Sequence, residues 1–293
     1  MDFRTAHTVE EALATLADHG ADARLIAGGT DVMIQLQRGE ITAPLLLSIG
    51  RVGELAVLEP NGGLGIGALV TQRCLATAAE VRERYRSIAE GAATCGGWQT
   101  QAVATAAGNI CNASPAADLA APLLANDARI LLRSTTGQRE LAYGEFVVGR
   151  RLTARQPTEL VTGIHLPAPP AQSADVYLKV GRRSAMEVAV VGLAMRLAFA
   201  DGAVTAARVA LASVGPTPRR IPAAEAALTG RELTDAVIHD AATAVLDEIN
   251  PIDDLRGSAA YRRRVVPGLL GRAAARCAAR AGVAVTFKEA AWN

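Results

Sequence analysis

The segment Pro167-Ala168-Pro169-Pro170 constrains this chain most, because neither a helix nor a central strand can run through three prolines so closely spaced. It divides the 293 residues into two stretches with different patterning. Ahead of it, short helical and strand-like segments alternate. Behind it come two apolar runs, 188–200 and 203–213, separated by Asp201-Gly202, a hairpin signal. Three helical stretches follow, at 222–229, 234–249 and 258–281.

The N-terminal stretch is legible in more detail. Thr8-Val9-Glu10-Glu11 is a capping box, Ala12, Leu13, Leu16 and Ala17 form an apolar helical stripe, and Gly20 suits the C-cap. A strand at 24–27 is broken by Gly28-Gly29. Thr30-Asp31 can then begin a helix through Val32, Met33 and Leu36, and 45–48 is a further strand. This order predicts a small βαβ unit over 1–55. The turn cluster Pro60-Asn61-Gly62-Gly63 marks a subdomain border. Strands are expected at 64–68, 129–133 and 159–166. Helices are expected after Thr71 and over 86–96 and 118–125, with irregular chain over 105–118.

Composition excludes several classes of function. Thirty Lys and Arg balance 29 Asp and Glu, and only 3% of residues are aromatic, which argues against a protein built to grip nucleic acid. Cys74, Cys95, Cys111 and Cys277 include no CxxC pair, and His7, His19, His165 and His239 show no ligand spacing, so no metal site is expected. Isolated cysteines without a secretory leader suggest a reducing, cytoplasmic setting. Arg196 interrupts the longest apolar run, so no span is expected.

Two segments can carry chemistry. In Ala27-Gly28-Gly29-Thr30-Asp31 the glycines let the backbone turn sharply, and the amides with the Thr30 hydroxyl can hold phosphate oxygens. An ordinary tight turn has the same signature. Residues 105–118 crowd Thr105, Asn109, Asn112, Ser114 and Asp118 among small residues. A hydroxylated, phosphorylated ligand would satisfy these groups, with Asp118 accepting from sugar or ribityl hydroxyls, and so would solvent. Gly63-Leu64-Gly65-Ile66-Gly67 begins like a dinucleotide fingerprint, but Val70 stands where its third glycine is required. The run Tyr261-Arg262-Arg263-Arg264 suits a solvated helix face or a subunit contact.

Four motifs in order resemble one family. They are Ala27-Gly28-Gly29-Thr30-Asp31, the segment from Thr105 to Asp118, Lys179-Val180-Gly181-Arg182-Arg183, and Asp254-Leu255-Arg256-Gly257-Ser258-Ala259-Ala260-Tyr261-Arg262. Over essentially its whole length the chain resembles the FAD-binding, medium subunit of the molybdenum hydroxylases, the xanthine dehydrogenase and carbon monoxide dehydrogenase group. The resemblance implies an α+β fold. A two-lobed FAD-binding domain of the vanillyl-alcohol-oxidase class would span 1–172, with lobes at 1–58 and 59–172. A C-terminal domain of antiparallel sheet and helical bundle would span 173–293.

The resemblance also implies roles. The backbone of Ile26, Ala27, Gly28, Gly29, Thr30 and Asp31 would cradle the pyrophosphate end of FAD. Thr105, Gly108, Asn109, Cys111, Asn112 and Asp118 would line a second wall. Leu160 and Val161 match positions near the adenine or the ring, and Lys179 matches a lysine near the flavin. Asp254, Arg256, Ser258 and Tyr261 would hold the C-terminal domain together, with Ser258 as an N-cap. Ala107-Gly108 replaces the family's paired glycines, and a positive φ at Ala107 would cost about 1–2 kcal/mol.

The function so implied is electron transfer without catalytic side chains in this chain. FAD would collect electrons from two [2Fe-2S] clusters of a small subunit, fed by a large molybdenum-cofactor subunit, and pass them to NAD, oxygen or another acceptor. The assembly would be a dimer of heterotrimers. Two alternatives stand beside it: a self-sufficient FAD-dependent oxidoreductase, and an assembly subunit that has lost FAD, which Ala107 alone favours.

Overall fold

The computed structural model describes residues 1–183, 185–285 and 287. The chain divides into two compact units that interleave along the sequence. One comprises Met1–Cys74, Gly97–Ala113 and Asp127–Ala168, and the other Leu75–Gly96, Ser114–Asn126 and Pro169–Asn293. The last crossing between them falls at Ala168/Pro169, inside the proline-rich segment and four residues before the 172/173 border that the resemblance implies.

The first unit begins as its sequence dictates. Thr8 Oγ1 accepts from the Glu11 amide at 3.1 Å and caps the helix Val9–His19. The Glu11 carboxylate reaches back to His7 N, one residue earlier than the usual capping box. Gly20 ends the helix at φ 52°, donating to Leu16 O. Val9, Ala12, Leu13 and Leu16 face inward from this helix. A three-stranded parallel sheet follows the order Asp2–Thr5, Leu45–Ser48, Ala23–Ile26. Its first strand escaped the sequence reading because its side chains are nearly all exposed and show no apolar alternation.

The unit's second sheet is antiparallel, in the order Leu58–Glu59, Gly63–Gly67, Leu160–Pro167, Arg129–Ser134, Gly137–Ala142. The glycine-rich run at 63–67 is thus a strand paired on both sides, in keeping with its rejection as a dinucleotide fingerprint. One expectation is corrected here. Residues 105–118 are not uniformly irregular: Ala106–Cys111 is a helix whose N-cap Thr105 accepts from Gly108 N at 3.0 Å. Small, polar residues hid this turn, because its stability comes from the cap and from burial of Ala106, Ala107 and Ile110 rather than from an apolar stripe.

The second unit is built on a four-stranded antiparallel sheet, Ser173–Val180, Val191–Ala200, Ala203–Ala212 and Arg219–Arg220. Asp201 and Gly202 both take positive φ, 51° and 83°, as a two-residue primed hairpin turn requires. Leu193, Met195, Leu197, Val209 and Leu211 pack in one core with Val245, Leu269, Leu270, Ala273 and Cys277. The last five lie on the helices Asp235–Glu248 and Ala259–Arg280, the latter capped by Ser258 as expected.

Two helices from the earlier half of the sequence, Arg86–Thr94 and Ala120–Ala125, pack on this sheet. Buried Asp175 fastens the first by accepting from the amides of Arg86 at 2.9 Å and Ser87 at 3.1 Å, where a carboxylate also complements the helix dipole. A second correction concerns Arg262. It is not on a solvated face but 3% exposed, bonded to Val190 O, Ser213 O and Asp254. A charge run in sequence carries no sign of which member turns inward. Among the described residues no helix is long and apolar enough to cross a membrane, and no cluster of His, Cys, Asp or Glu could hold a metal ion.

Candidate functional site

The first unit contains an open cavity of about 280 Å³. Its first wall is the turn between the strand Ala23–Ile26 and the helix Val32–Gln37. Ala27, Gly28, Gly29, Thr30 and Asp31 all line it. The two glycines are needed for different reasons. A Cβ on Gly28 would lie 1.9 Å from Val103 O, so the backbone closes against its neighbour only without a side chain. Gly29 takes φ 73°, a conformation that costs other residues about 1–2 kcal/mol. Among the described residues no protein acceptor pairs with the amide N–H groups of Gly28, Gly29, Thr30 or Asp31.

The second wall is one face of the helix Ala106–Cys111 and its flanks. Thr105, Ala107, Gly108, Cys111 and Asn112 line the cavity. Buried Gln72 braces this wall, its amide donating to Ala104 O at 2.8 Å and its side chain to Thr105 O at 3.3 Å. Ala107 is helical and absent from the residues with positive φ, so replacing a glycine there stores no backbone strain. Cys111 lines the cavity and is exposed to solvent. Desolvation by the protein around it pushes its thiol up to about 11, against the pull of Arg155 and Arg24, so it is a protonated thiol at neutral pH.

Leu160 and Val161, at the start of their strand, supply apolar lining together with Leu25 and Ile49. Three cations the sequence reading did not anticipate, Arg24, Arg151 and Arg155, also line the cavity. Arg24 had one weak signal, a guanidinium inside a short apolar strand just before the glycine pair. Arg151 and Arg155 had none, because they reach the cavity through the hairpin Val147–Gly149/Leu152–Thr153 and the turn after it. The Arg155 guanidinium donates to Glu159 O at 2.6 Å. Arg139 grips the Glu159 carboxylate with two bonds, of 2.6 and 2.9 Å, fixing the turn that presents Leu160.

Four expected residues lie outside this lining. Ile26 packs beneath Gly29, and Asn109 is half-buried on the capped helix. Asp118 and Lys179 belong to the second unit, where they meet each other. Lys179 Nζ is 2.9 Å from Asp118 Oδ2, and the Tyr177 hydroxyl donates to Asp118 Oδ1 at 2.9 Å. Burial raises the Asp118 carboxyl above its ordinary range, opposed by Lys179 and by the Tyr177 hydrogen bond.

The lining suits a flavin dinucleotide. Unpartnered amides and three guanidinium groups answer a diphosphate, and Leu25, Ile49, Leu160 and Val161 offer apolar surface for rings. At about 280 Å³ the cavity has room for part of an extended dinucleotide.

Comparison with known proteins decides the family. Residues 1–169 match the family described as FAD binding domain in molybdopterin dehydrogenase, and residues 176–277 match the CO dehydrogenase flavoprotein C-terminal domain. The chain belongs to this family of flavoproteins. It is 29% identical over 287 residues to the putative xanthine dehydrogenase FAD-binding subunit of Escherichia coli (strain K12), covering 96% of this chain and 98% of that one. It is 30% identical over 282 residues to subunit alpha of the 6-hydroxypseudooxynicotine dehydrogenase complex of Paenarthrobacter nicotinovorans, covering 96% and 95%. Among solved structures, carbon monoxide dehydrogenase from Hydrogenophaga pseudoflava matches with a TM-score of 0.92 and 30% identity, over 96% of this chain and 98% of that one. The α+β architecture expected from the sequence is the one this family shares. As an FAD-binding medium subunit, the chain is a component of an oxidoreductase.

Proposed function

We propose that this chain holds FAD in the cavity of its first unit and serves as the electron-transfer subunit of a molybdenum hydroxylase complex. The carrying observation is the run of unpartnered amides from Gly28 to Asp31 in a cavity shared with three guanidinium groups. The amides, with Arg24 and Arg155, bind and orient the diphosphate, while the Arg151 guanidinium is engaged by Glu40. Leu160 and Val161 keep water from the apolar parts of the cofactor, and Thr105, by capping its helix, holds the second wall in register. Bound FAD supplies the redox chemistry that joins one-electron carriers to a two-electron acceptor such as NAD or oxygen.

The partners on this reading are a large subunit with the molybdenum cofactor and a small subunit with two [2Fe-2S] clusters, in a dimer of heterotrimers. All four cysteines are free thiols, in keeping with a reducing compartment, and we place the complex in the cytoplasm. The argument for an assembly subunit without FAD loses its basis, because Ala107 is unstrained. The test is the flavin released on denaturing the pure complex. One FAD per copy of this chain is expected, and flavin-free intact complex overturns the reading.

A further inference from the structure

The helix Val32–Gln37, which carries the phosphate-facing turn, has little to hold it in place by packing. Of its six residues only Gln35 is buried, while Met33 and Ile34 are 46% and 47% exposed. An element with so little buried apolar surface takes its position from its polar bonds.

Those bonds run to the opposite wall of the cavity, at each end of the helix and in its middle. At the N-terminal end Asn112 Nδ2 donates to Asp31 Oδ1 at 2.9 Å. In the middle Gln35 Nε2 donates to Asn112 Oδ1 at 3.0 Å. Past the C-terminal end Arg151 Nη1 donates to Glu40 Oε2 at 2.7 Å. Arg151 is itself anchored to the second wall through its own amide, which donates to Ala113 O at 2.9 Å. The side-chain amide of Asn112 is therefore engaged on both its oxygen and its nitrogen by the first wall.

We propose that Asn112 and Arg151 are positioning residues that clasp the Val32–Gln37 helix across the cavity, and that this clasp sets how long FAD is retained. The proposal rests on the reading of the cavity as the FAD site. It differs from the role implied by resemblance, in which Asn112 touches the cofactor. An intact clasp holds the Gly28–Asp31 amides where the diphosphate meets them, and opening it frees the helix to swing away.

The test is the rate at which FAD leaves the intact complex, followed by the rise in flavin fluorescence on dilution, with the thermal midpoint of the flavin-free complex as control. Asn112→Asp sets two carboxylates face to face and opens the clasp, so FAD should leave about tenfold faster. Adding Asp31→Asn restores both bonds, since the side-chain amide introduced at position 31 and that of Gln35 would each donate to the new carboxylate, and the slow rate should return. Glu40→Gln, at a residue that does not line the cavity, should also speed release while leaving the flavin-free thermal midpoint unchanged.

A double variant that stays fast means that Asn112 contacts the cofactor directly, and overturns the proposal. So does an Asn112→Asp complex that releases FAD at the unmodified rate. A complex that contains no flavin before any substitution defeats the FAD reading instead, and the two failures are told apart by that first measurement.

Discussion

Lys179 Nζ stands 2.9 Å from Asp118 Oδ2, with the two side chains only 11% and 9% exposed. Lys179 also donates to Thr94 O at 3.1 Å, so the ammonium joins a strand, a helix end and a carboxylate within the second unit. Burying this pair costs desolvation that only complete pairing offsets. Lys179→Met would leave the carboxylate with Tyr177 alone. We expect it to lower stability by about 3–5 kcal/mol near neutral pH, read by urea unfolding. The sign with pH follows from Asp118, whose carboxyl is already raised by burial and would rise further without the lysine. A raised carboxyl favours the folded state at low pH and costs stability as pH climbs through its folded value. The deficit of the variant should therefore shrink on acidification, and a deficit that grows in acid would contradict this assignment.

Gly28→Ala tests the close approach in the first wall. Its Cβ would meet Val103 O at 1.9 Å and Val103 C at 2.6 Å, both backbone atoms that cannot turn aside. The turn must open, at about 2 kcal/mol or more. Flavin per chain in the purified complex should fall sharply. Unchanged flavin content would mean that the turn relaxes freely.

Ala107→Gly asks whether the departure from the family's glycine pair matters. Ala107 is helical and buried, so glycine there loses helix propensity and gains no conformation it needs. Stability should drop by about 0.5–1 kcal/mol with no gain in FAD affinity, measured by flavin titration of the flavin-free complex. Tighter FAD binding in the variant would show that Ala107 crowds the cofactor.

These cases show what the sequence could and could not reveal. Local signals were reliable where one residue dictates its own geometry. Thr8, Ser258 and Gly20 are caps, and Asp201-Gly202 is the hairpin turn. The glycine pair and the Thr105–Asn112 segment could be read because paired glycines mark a sharp turn or a close backbone approach and side-chain amides are costly to bury without partners. Arg151 and Arg155 were silent, since they arrive from a hairpin and turn more than a hundred residues after the glycine pair. The interleaving of the two units was silent for the same reason. Nothing local in Arg86–Thr94 states that Asp175 will cap it.

Arg262 offers the sharpest test of the second unit's organisation. Its guanidinium donates to Val190 O at 2.7 Å, Ser213 O at 3.0 Å and Asp254 Oδ1 at 2.6 Å, tying the start of a strand, a residue at φ 65° and the Asp254 turn to one helix. Arg262→Met fills similar space but strands two carbonyls and a carboxylate, and should cost about 3 kcal/mol. Lysine should recover only part of this, because one ammonium cannot reproduce a planar fork bonded in three directions. Burial by itself would raise the Asp254 carboxyl, but the Arg256 amide and the charges of Arg262 and Arg256 hold it below its ordinary value. A depressed carboxyl stabilises the fold above its unfolded value, and that contribution is lost as pH falls through the folded one. Unfolding midpoints measured from neutral pH downward should therefore drop more steeply for the unmodified chain than for Arg262→Met, since the variant has already lost the guanidinium that depresses Asp254. Parallel acid profiles would show that Arg262 supports the fold through its carbonyl bonds alone.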